Sequence, residues 1–558
     1  MSFRTGYLTV VAGALLSTSA TAQIVYKVIE SDPAKIDSGL VSGTYLPSGV
    51  RAYFGVPFAA PPIRENRWRE PQPVRAWSGV LTADRMAPEC IQSLRSSNIN
   101  HYFGEEATSE DCLYLNLWAP PKARRGDRLP VVIWIYGGGF SGGSSSMALY
   151  SGESLARKGV IFVGFNYRVG VFGFLAHPEA TAESTHHASG DWGFLDQVAA
   201  LQWVQRNIAA FGGDPANITL VGQSAGSMSI SYLQASPLAH GLLNKAFGMS
   251  GSAVAGPGSE NFSLTQAEEQ GSKLQASLNA KSLAQMRYLS ADKVLAAAQA
   301  ARFRPTPVIE GYFLPKRVAA IFAAHEQSDI PVVAGSTAND IGTSNDVRKA
   351  TSVAEYRAAA QKAFGDNTEE FLRVFPATND AEVKVSAEQV GLGSGMGLGA
   401  RAWVHAQSEY GHAPAYLFLF SRTQPYSPGI VFADHDPATA GAYHTGDVPY
   451  WLETQDAFNL FRQTRDWTPY DRELANTMSG ILISFAKNGV PNSGNISLIK
   501  YDHKEEQRVR FGNRIDIETM NTQGMDFLAE HPISFSLPAP APLPPSTQSQ
   551  QQPERATY

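Results

Sequence analysis

The most constraining feature of the sequence is a β-prone run that turns abruptly at a serine. Ile218–Val221 reads I-T-L-V and leads directly into Gly222–Gly226, G-Q-S-A-G. This G-x-S-x-G pattern is typical of a strand, a tight turn and a helix that present the serine Oγ at the C-terminal edge of a sheet. Met228–Leu233 can continue the helix. The motif alone occurs by chance in glycine-rich chains, but this context indicates that Ser224 is a nucleophile.

Five short apolar runs, including Ile218–Val221, have the length and composition of buried strands. The candidates are Pro130–Tyr136, Val160–Phe165, Ile218–Val221, Pro331–Ala334 and Ala415–Phe420. Helical patterns lie between some of them, as in Phe194–Ile208, where apolar residues recur at steps of three and four. Because strands alternate with helices, we predict an α/β fold with a mostly parallel sheet.

Composition limits the classes of partner. The 558-residue chain is 43% hydrophobic, enough for a large core, and its formal net charge is −6. This mild acidic balance, without a Lys/Arg-rich run, argues against nucleic acid as the main partner. No Cys/His cluster has the spacing of a zinc site, so we predict no metal.

Residues 534–558 are rich in Pro, Gln and Ser, which predicts an extended or disordered tail. This tail is either a solvated segment or a spacer or partner-binding segment.

The N-terminus has the pattern of a secretory signal peptide. Arg4 precedes an apolar stretch from Tyr7 to Leu16, and Ala20–Ala22 (A-T-A) matches a small-x-small cleavage site. The alternative is a membrane anchor, but the stretch is shorter than the roughly 20 residues of a bilayer span. We therefore expect removal of residues 1–22, a folded domain over residues 23–533, and export to the periplasm or the medium.

A nucleophilic serine needs a base, an acid that orients the base, and donors for the oxyanion. Tyr136–Phe140 (Y-G-G-G-F) directly follows a strand candidate. Its consecutive glycines can point backbone N–H groups at one spot without interfering side chains. The alternatives are a plain glycine-rich turn or a phosphate loop, although the G-K-[ST] of a Walker loop is absent.

Seven stretches together resemble the type-B carboxylesterases of the cholinesterase family, in the family's order. They are F-G-V-P-F-A-A-P-P at 54–62, S-E-D-C-L-Y-L-N at 109–116, W-I-Y-G-G-G-F at 134–140, N-Y-R-V-G-V-F-G-F-L at 166–175, G-D-W-G-F-L-D-Q at 190–197, F-G-G-D-P-A-N-I-T-L-V-G-Q-S-A-G at 211–226 and H-T-G-D-V-P-Y at 444–450. The resemblance covers about residues 35–500. It implies an α/β-hydrolase fold with helices on both faces of the sheet and insertions over the active site, and no cofactor.

The resemblance also implies roles for individual residues. Ser224 matches the nucleophile of the family. Gly138, Gly139 and Ala225 match the residues whose backbone N–H groups hold the oxyanion. His444, in the stretch H-T-G-D-V-P-Y, matches the base.

The base and the acid each have a rival. His435 lies near His444 but lacks the following D-V-P-Y. The acid falls at Asp340, where the family has a glutamate in G-x-x-x-D-E-G. An aspartate can also accept from the imidazole N–H, but it is one carbon shorter, so the backbone must approach or the register must shift. Glu310 is the rival carboxylate, at a position where the family usually has the aspartate of P-V-x-D-G.

Three further features modify the resemblance. Gln223 stands where many relatives carry glutamate, which weakens the case for a cationic substrate. Cys90 and Cys112 bracket a loop that the family closes with a disulfide, and a lone pair in an exported chain is itself a candidate bridge, the alternative being two unpaired thiols. Tyr102 and Phe103 in this loop are candidate pocket residues, as is Gln223, although core packing is the commoner fate of aromatic side chains.

Together these assignments predict an exported serine hydrolase that cleaves small-molecule carboxylic esters through an acyl-enzyme intermediate. One alternative is an acyltransferase with the same triad. Another is a non-catalytic, cholinesterase-like binding protein, which typically lacks a member of the triad. The presence of Ser224, His444 and the donor glycines argues against the binding protein.

Overall fold

A computed structural model of the protein describes residues 27–28, 33–93, 107–432 and 435–533. The predicted signal peptide, residues 1–22, and the predicted tail, residues 534–558, lie outside the described residues, so this division into segments stays a prediction. In the described part, the strands are β1 (Lys27–Val28), β2 (Ala34–Ile36), β3 (Gly39–Ser42), β4 (Thr44–Tyr45), β5 (Arg51–Pro57), β6 (Val80–Thr82), β7 (Glu89–Cys90), β8 (Thr108–Ser109), β9 (Tyr114–Ala119), β10 (Leu129–Ile135), β11 (Ile161–Phe165), β12 (Gly213–Gln223), β13 (Lys245–Met249), β14 (Phe262–Ser263), β15 (Val308–Ile309), β16 (Val332–Thr337), β17 (Ala415–Phe420), β18 (Asn492–Ser493), β19 (Ile496–Ser497), β20 (Gln507–Phe511) and β21 (Ile515–Thr519).

Helices connect and cover these strands. Over the same described residues, the α-helices are α1 (Glu153–Arg157), α2 (Gly170–Phe174), α3 (Pro178–Glu183), α4 (Trp192–Asn207), α5 (Ala225–Ala235), α6 (Leu264–Ser277), α7 (Leu283–Arg287), α8 (Ala291–Ala300), α9 (Val318–Ala323), α10 (Asp346–Lys349), α11 (Val353–Phe364), α12 (Thr368–Val374), α13 (Asp380–Leu392), α14 (Gly395–Tyr410), α15 (Val448–Trp451), α16 (Pro469–Asn488) and α17 (Thr522–Glu530). None of these described helices is both long enough and apolar enough to cross a bilayer.

A large mixed sheet organises the fold. Its twelve strands follow the order β1-β4-β5-β9-β11-β10-β12-β13-β16-β17-β20-β21. The strands from β11 through β20 pair in parallel, whereas the pairs at both edges are antiparallel. The expected parallel sheet is thus confirmed for the centre of the molecule, with antiparallel strands added on both sides.

All five predicted strands lie in this parallel centre, as β10, β11, β12, β16 and β17. The predicted helix Phe194–Ile208 is α4, which begins at Trp192, and the predicted helical stretch Met228–Leu233 lies within α5. The largest difference is at β12, which begins at Gly213, five residues before the predicted Ile218–Val221. The first half of β12 is polar and partly exposed, and its pairing with β10 shifts register beside Leu129. It therefore lacks the apolar pattern that marks a buried strand.

Burial is most complete in the centre of the sheet. Every residue of β13 and β16 is buried, and all of β10 except Leu129. Strands buried in this way are covered on both faces, which is typical of parallel sheets in α/β proteins. A smaller apolar cluster joins α11, α12, α13 and α17, around residues such as Phe371 and Phe527.

Candidate active site

Ser224 occupies the turn between β12 and α5. Its backbone has φ 57° and ψ −126°, outside the regions that L-residues normally occupy. The backbone N–H of Ser224 donates to the carbonyl of Met249, at the end of β13, over 2.8 Å. The strained turn is therefore held by the neighbouring strand and presents the serine at the carboxyl edge of the parallel sheet.

A glycine is required where α5 begins. A Cβ on Gly226 would lie 1.9 Å from the carbonyl oxygen of Ile135, the last residue of β10. Any side chain here would push the helix away from the strand. The second glycine of G-Q-S-A-G thus allows the close approach that sets the position of Ser224.

His444 and Asp340 form a direct pair. The imidazole Nδ1 lies 2.6 Å from Asp340 Oδ1. Asp340 is buried, and its oxygens also accept from the Ser250 hydroxyl (2.6 Å) and from the N–H groups of Thr337 (2.9 Å) and Ile341 (2.8 Å). Because an ionised carboxylate only accepts, the proton of the neutral imidazole is on Nδ1 and the lone pair is on Nε2. This is the tautomer that a general base needs.

The surroundings of Asp340 keep it ionised. Burial alone would raise the pKa of this carboxyl, but the charge of His444 and the hydrogen bonds from His444, Ser250 and Thr337 hold the pKa below its ordinary value. At neutral pH, a negative charge therefore faces the imidazole.

The backbone explains how the short aspartate side chain reaches His444. Asn339 and Tyr443, the residues just before Asp340 and His444, form an isolated parallel bridge. The Asn339 N–H donates to the Ala442 carbonyl over 3.0 Å, and the Ala442 N–H donates to Asn339 Oδ1 over 3.0 Å. The two loops are thus tied together beside the pair. The backbone approach that an aspartate requires at this position is present.

Ser224 itself is not hydrogen-bonded to His444. Gln223 Nε2 lies 3.1 Å from His444 Nε2, so the amide donates to the lone pair of the imidazole. Among the described residues, the Ser224 hydroxyl makes no hydrogen bond to another residue. The structure therefore brings together Asp340, His444 and Gln223, and places Ser224 next to Gln223 in the chain with its hydroxyl free.

The glycine-rich loop after β10 lies against the serine turn. A Cβ on Gly137 would meet the Cβ of Ser224 at 2.7 Å. Gly138 and Gly139 have φ 116° and 59°, and the N–H groups of these two glycines donate to no other described backbone carbonyl. A Cβ on Gly139 would meet no atom within 4 Å, so there is open space in front of this loop. Ala225 begins α5, where the N–H groups of the first turn have no partner within the helix.

The rival residues lie in other environments. His435 Nε2 is hydrogen-bonded to the Tyr426 hydroxyl. The Glu310 carboxylate accepts from the backbone N–H groups of Tyr312 and Phe313. The carboxylate that contacts His444 is Asp340, and neither rival enters this contact.

Two residues near this pair were missed by reasoning from the sequence. Ser250 bonds Asp340, and it could have been found because it directly follows the last residue of β13 at the carboxyl edge of the sheet. Asp447 lies in the stretch H-T-G-D-V-P-Y, yet the sequence interpretation gave it no role. It is completely buried.

The two cysteines are joined. Cys90 and Cys112 form a disulfide that closes a loop with a sequence separation of 22, as the resemblance implied. The two aromatic pocket candidates of this loop, Tyr102 and Phe103, lie outside the described residues.

One group of described side chains has the proximity of metal ligands, His503, Glu506 and Asp526. Arg401 forms salt bridges with both acids of this group, at 2.5 Å and 2.6 Å. The guanidinium already supplies a positive charge there. The group joins α17 to the segment before β20, Arg401 reaches it from α14, and it includes no residue of the candidate active site.

Comparison with known proteins identifies the family. The model of the family described as "Carboxylesterase family" matches residues 30–528. The chain belongs to the carboxylesterase family. It is 35% identical over 487 residues to the fumonisin B1 esterase of Sphingopyxis macrogoltabida, covering 86% of each chain. It is 30% identical over 504 residues to the para-nitrobenzyl esterase of Bacillus subtilis (strain 168), covering 86% of this chain and 94% of the relative.

Solved structures agree with this family. A structure of PNB esterase matches 88% of this carboxylesterase chain and 97% of its own, with a TM-score of 0.70 and 29% identity. The predicted α/β-hydrolase fold and the predicted enzyme class are confirmed. The protein is a serine hydrolase that cleaves carboxylic esters.

Proposed function

We propose that Ser224, His444 and Asp340 are the catalytic triad of this esterase and that it works through an acyl-enzyme intermediate. The observation that carries the proposal is the 2.6 Å contact between His444 Nδ1 and Asp340. It keeps the proton of the imidazole on Nδ1, so that the lone pair is on Nε2, where it accepts from the amide of Gln223, the residue next to Ser224. A buried carboxylate, an imidazole in this tautomer and a serine at the edge of the sheet are the parts that acyl transfer requires.

Acylation begins with an exchange of partners at His444 Nε2. The Ser224 hydroxyl replaces the Gln223 amide as the donor to this nitrogen. Ser224 Oγ then attacks the ester carbonyl carbon while Nε2 takes the hydroxyl proton. The tetrahedral intermediate collapses when Nε2 gives this proton to the oxygen of the leaving alcohol, and the bond between this oxygen and the former carbonyl carbon breaks. Asp340 stabilises the imidazolium while it exists.

Deacylation repeats these steps with water. A water molecule gives a proton to His444 Nε2 and attacks the acyl carbonyl. The second tetrahedral intermediate expels Ser224 Oγ, which recovers the proton from the imidazolium. The carboxylic acid is released and the enzyme returns to its starting state.

Gly138, Gly139 and Ala225 are proposed to hold the oxyanion in both intermediates. Two of these N–H groups lie in the loop that packs on Ser224, and the third opens α5. Donors that are fixed before the reaction stabilise developing charge without having to reorganise. The N-terminus of α5 adds the positive end of its dipole to the same place.

The proposed substrates are small esters without a cationic group. Gln223, the residue next to the nucleophile, is neutral and contacts His444. The charge of Asp340 is buried and paired with His444. Neither side chain therefore offers a free negative charge to a cationic ester. We expect uncharged activated esters to be cleaved more efficiently than choline esters of the same acyl group.

The enzyme is also proposed to be exported, with cleavage after Ala22. The pattern of Arg4, the apolar stretch and A-T-A supports this, and the disulfide is compatible with an oxidising compartment. N-terminal sequencing of the protein recovered outside the cytoplasm should give Gln23 as the first residue. A protein that keeps its N-terminus and stays in the cytoplasm would contradict the proposal.

The triad is tested by Ser224→Ala. The variant should lose about four to six orders of magnitude in kcat on a p-nitrophenyl ester and should no longer be labelled by a fluorophosphonate. Ser229→Ala is a matched control on the next turn of α5, because the Ser229 hydroxyl only bonds the Ala225 carbonyl and Gln197. If folded Ser224→Ala keeps near-normal turnover, or is labelled as the wild type is, the proposed nucleophile is wrong.

A further inference from the structure

Asp447 is a buried carboxyl that the proposed mechanism does not use. It is three residues after His444 and is completely buried. Both of its oxygens lack a hydrogen-bond partner among the described residues. It precedes α15 as the N-cap residue, but its side chain makes no capping hydrogen bond. A buried polar group without partners is rare in proteins and requires an explanation.

Charged and polar groups from three directions act on Asp447. Asp340, from the segment after β16, opposes its ionisation, while the positive charge of His444 favours it. The indole of Trp451, from α15, comes near enough to lower the pKa of Asp447, although its Nε1 has no hydrogen bond of normal geometry within the described chain. Burial raises the pKa of the Tyr443 hydroxyl, on the same loop, and the charge of Asp447 also raises it.

The guanidinium of Arg465, which acts on Tyr443, is held by other groups. Arg465 Nε donates to Gln424 Oε1 over 2.7 Å, and the Tyr443 hydroxyl donates to the same oxygen over 3.2 Å. The amide of Gln424 in turn holds the Gly446 carbonyl. Arg465 therefore supports the loop through Gln424 and Tyr443, and no salt bridge joins it to Asp447 in the described residues.

The two carboxyls differ in the donors that surround them. Asp340 accepts from His444, Ser250, Thr337 and Ile341, whereas Asp447 accepts from no described residue. Two neighbouring buried carboxyls do not ionise together easily, so the one that receives more hydrogen bonds carries the charge. Burial and the charge of Asp340 raise the pKa of Asp447 to about 7.

We propose that Asp447 is a positioning residue that acts through His444. Its carboxyl keeps its proton in the resting enzyme at slightly acid pH and ionises as the pH rises. One negative charge then faces the imidazole at low pH, and two face it at high pH. This inference rests on the proposed role of His444 as the base.

The direction in which Asp447 changes the rate follows from the electrostatic interaction between its carboxyl and the imidazole of His444. A negative charge on Asp447 stabilises the imidazolium, which forms in the transition state, so ionised Asp447 raises kcat at alkaline pH. The same charge also stabilises the imidazolium of the resting enzyme, so it moves the acid limb of the profile upward.

The experiment compares pH profiles of kcat/KM for the wild type and Asp447→Asn. In the variant, the acid limb should move down by about 0.5–1 pH unit, and the alkaline plateau should fall by about three- to tenfold. Asp447→Glu, which retains a carboxyl, should keep a profile close to that of the wild type. Glu310→Gln is the matched control, because the pKa of Glu310 is also raised to about 7, mainly by burial, but its oxygens bond Tyr312 and Phe313.

Infrared difference spectra test the proton itself without any turnover. The spectrum of the wild type minus that of Asp447→Asn should contain the C=O stretch of a protonated carboxyl at about pH 5.5, and this band should be lost at about pH 9. If Asp447→Asn does not fold, Asp447→Ser serves for both measurements.

Three results would overturn the inference. They are an absent carboxyl band at low pH, an unchanged pH profile in Asp447→Asn, and an equal shift of the profile in Glu310→Gln. A failure of the proposed triad is distinguishable, because it would leave Ser224→Ala active while the infrared band of Asp447 would still report its protonation.

Discussion

Replacing Asp340 by asparagine is the sharpest test of its proposed role as the triad acid, because this change keeps the shape of the side chain and removes its charge. Asp340 Oδ1 faces His444 Nδ1 and the N–H of Ile341, while Oδ2 faces the Ser250 hydroxyl and the N–H of Thr337. All four partners are donors. An asparagine has one acceptor oxygen and one amide that only donates, so it cannot satisfy both pairs.

The two orientations of the amide have different consequences. With NH2 in place of Oδ2, the Ser250 hydroxyl can turn to accept, but the Thr337 N–H loses its acceptor. With NH2 in place of Oδ1, the Ile341 N–H loses its acceptor, and His444 must present an unprotonated Nδ1. The imidazole proton then moves to Nε2, and the base is lost. Either orientation leaves one backbone N–H unsatisfied, at about 1–3 kcal/mol of folding free energy.

The expected loss in kcat is about 10³–10⁴, as for an orienting acid in other triads. Asp340→Glu should retain more activity than Asp340→Asn, because the carboxylate survives. Glu310→Gln should lose much less, since its carboxylate bonds Tyr312 and Phe313 and not His444. The assay is kcat on one activated ester for the three variants, with circular dichroism to confirm folding. If Glu310→Gln is crippled and Asp340→Asn is not, the acid is misassigned, although the roles of Ser224 and His444 would remain.

Three other perturbations test separate parts of the structure. Replacing both Cys90 and Cys112 by serine should lower the free energy of unfolding by about 3 kcal/mol for a loop of this length, measured by urea denaturation; an unchanged midpoint would show that the bridge does not stabilise the fold. Gln223→Glu places a negative charge at His444 Nε2, so the acid limb of the pH profile of kcat/KM should move up by about one pH unit, and cleavage of choline esters should improve relative to neutral esters. An unchanged pH profile would contradict the contact between the side chain at position 223 and His444. Burial raises the pKa of Glu310 from 4.5 to about 7, so the folded state holds this proton longer than the unfolded chain, and stability should fall as the pH rises from about 4.5 to about 7. Glu310→Gln should remove that part of the slope in denaturation curves, and a slope equal to that of the wild type would refute it.

The centre of the fold could be predicted because its strands are buried on both faces. Ala415–Phe420 is continuous in apolar residues, and the predicted strand has the observed bounds of β17. The first half of β12 could not be found in this way, since Gly213–Asn217 is polar and partly exposed. Of these residues only Gly213 pairs with β10, opposite Leu129, and pairing resumes at Ile218 after a shift in register. A pairing partner that is distant in sequence leaves no local pattern.

The turn at Ser224, the proposed nucleophile, could be predicted from the sequence for a different reason. The turn at Ser224 needs particular residues around it, and a side chain at Gly226 is excluded by the backbone of Ile135 and Tyr136. Such steric requirements act on residues close in sequence, so they produce a recognisable sequence motif. The contact of Gln223 with His444 leaves none, because it joins residues separated by 221 positions through one amide.

The division of roles between Asp340 and Asp447 shows where reasoning from residue type ends. Both are aspartates, both are buried, and both lie within reach of the charge of His444. What separates them is the set of donors, which Asp340 receives from the Thr337 and Ile341 backbone and from Ser250. These donors lower the free energy of the ionised form at one site only. An aspartate side chain is therefore an anion at position 340 and, by our inference, a neutral acid at position 447. The difference comes from the hydrogen-bond donors that the fold brings to each position.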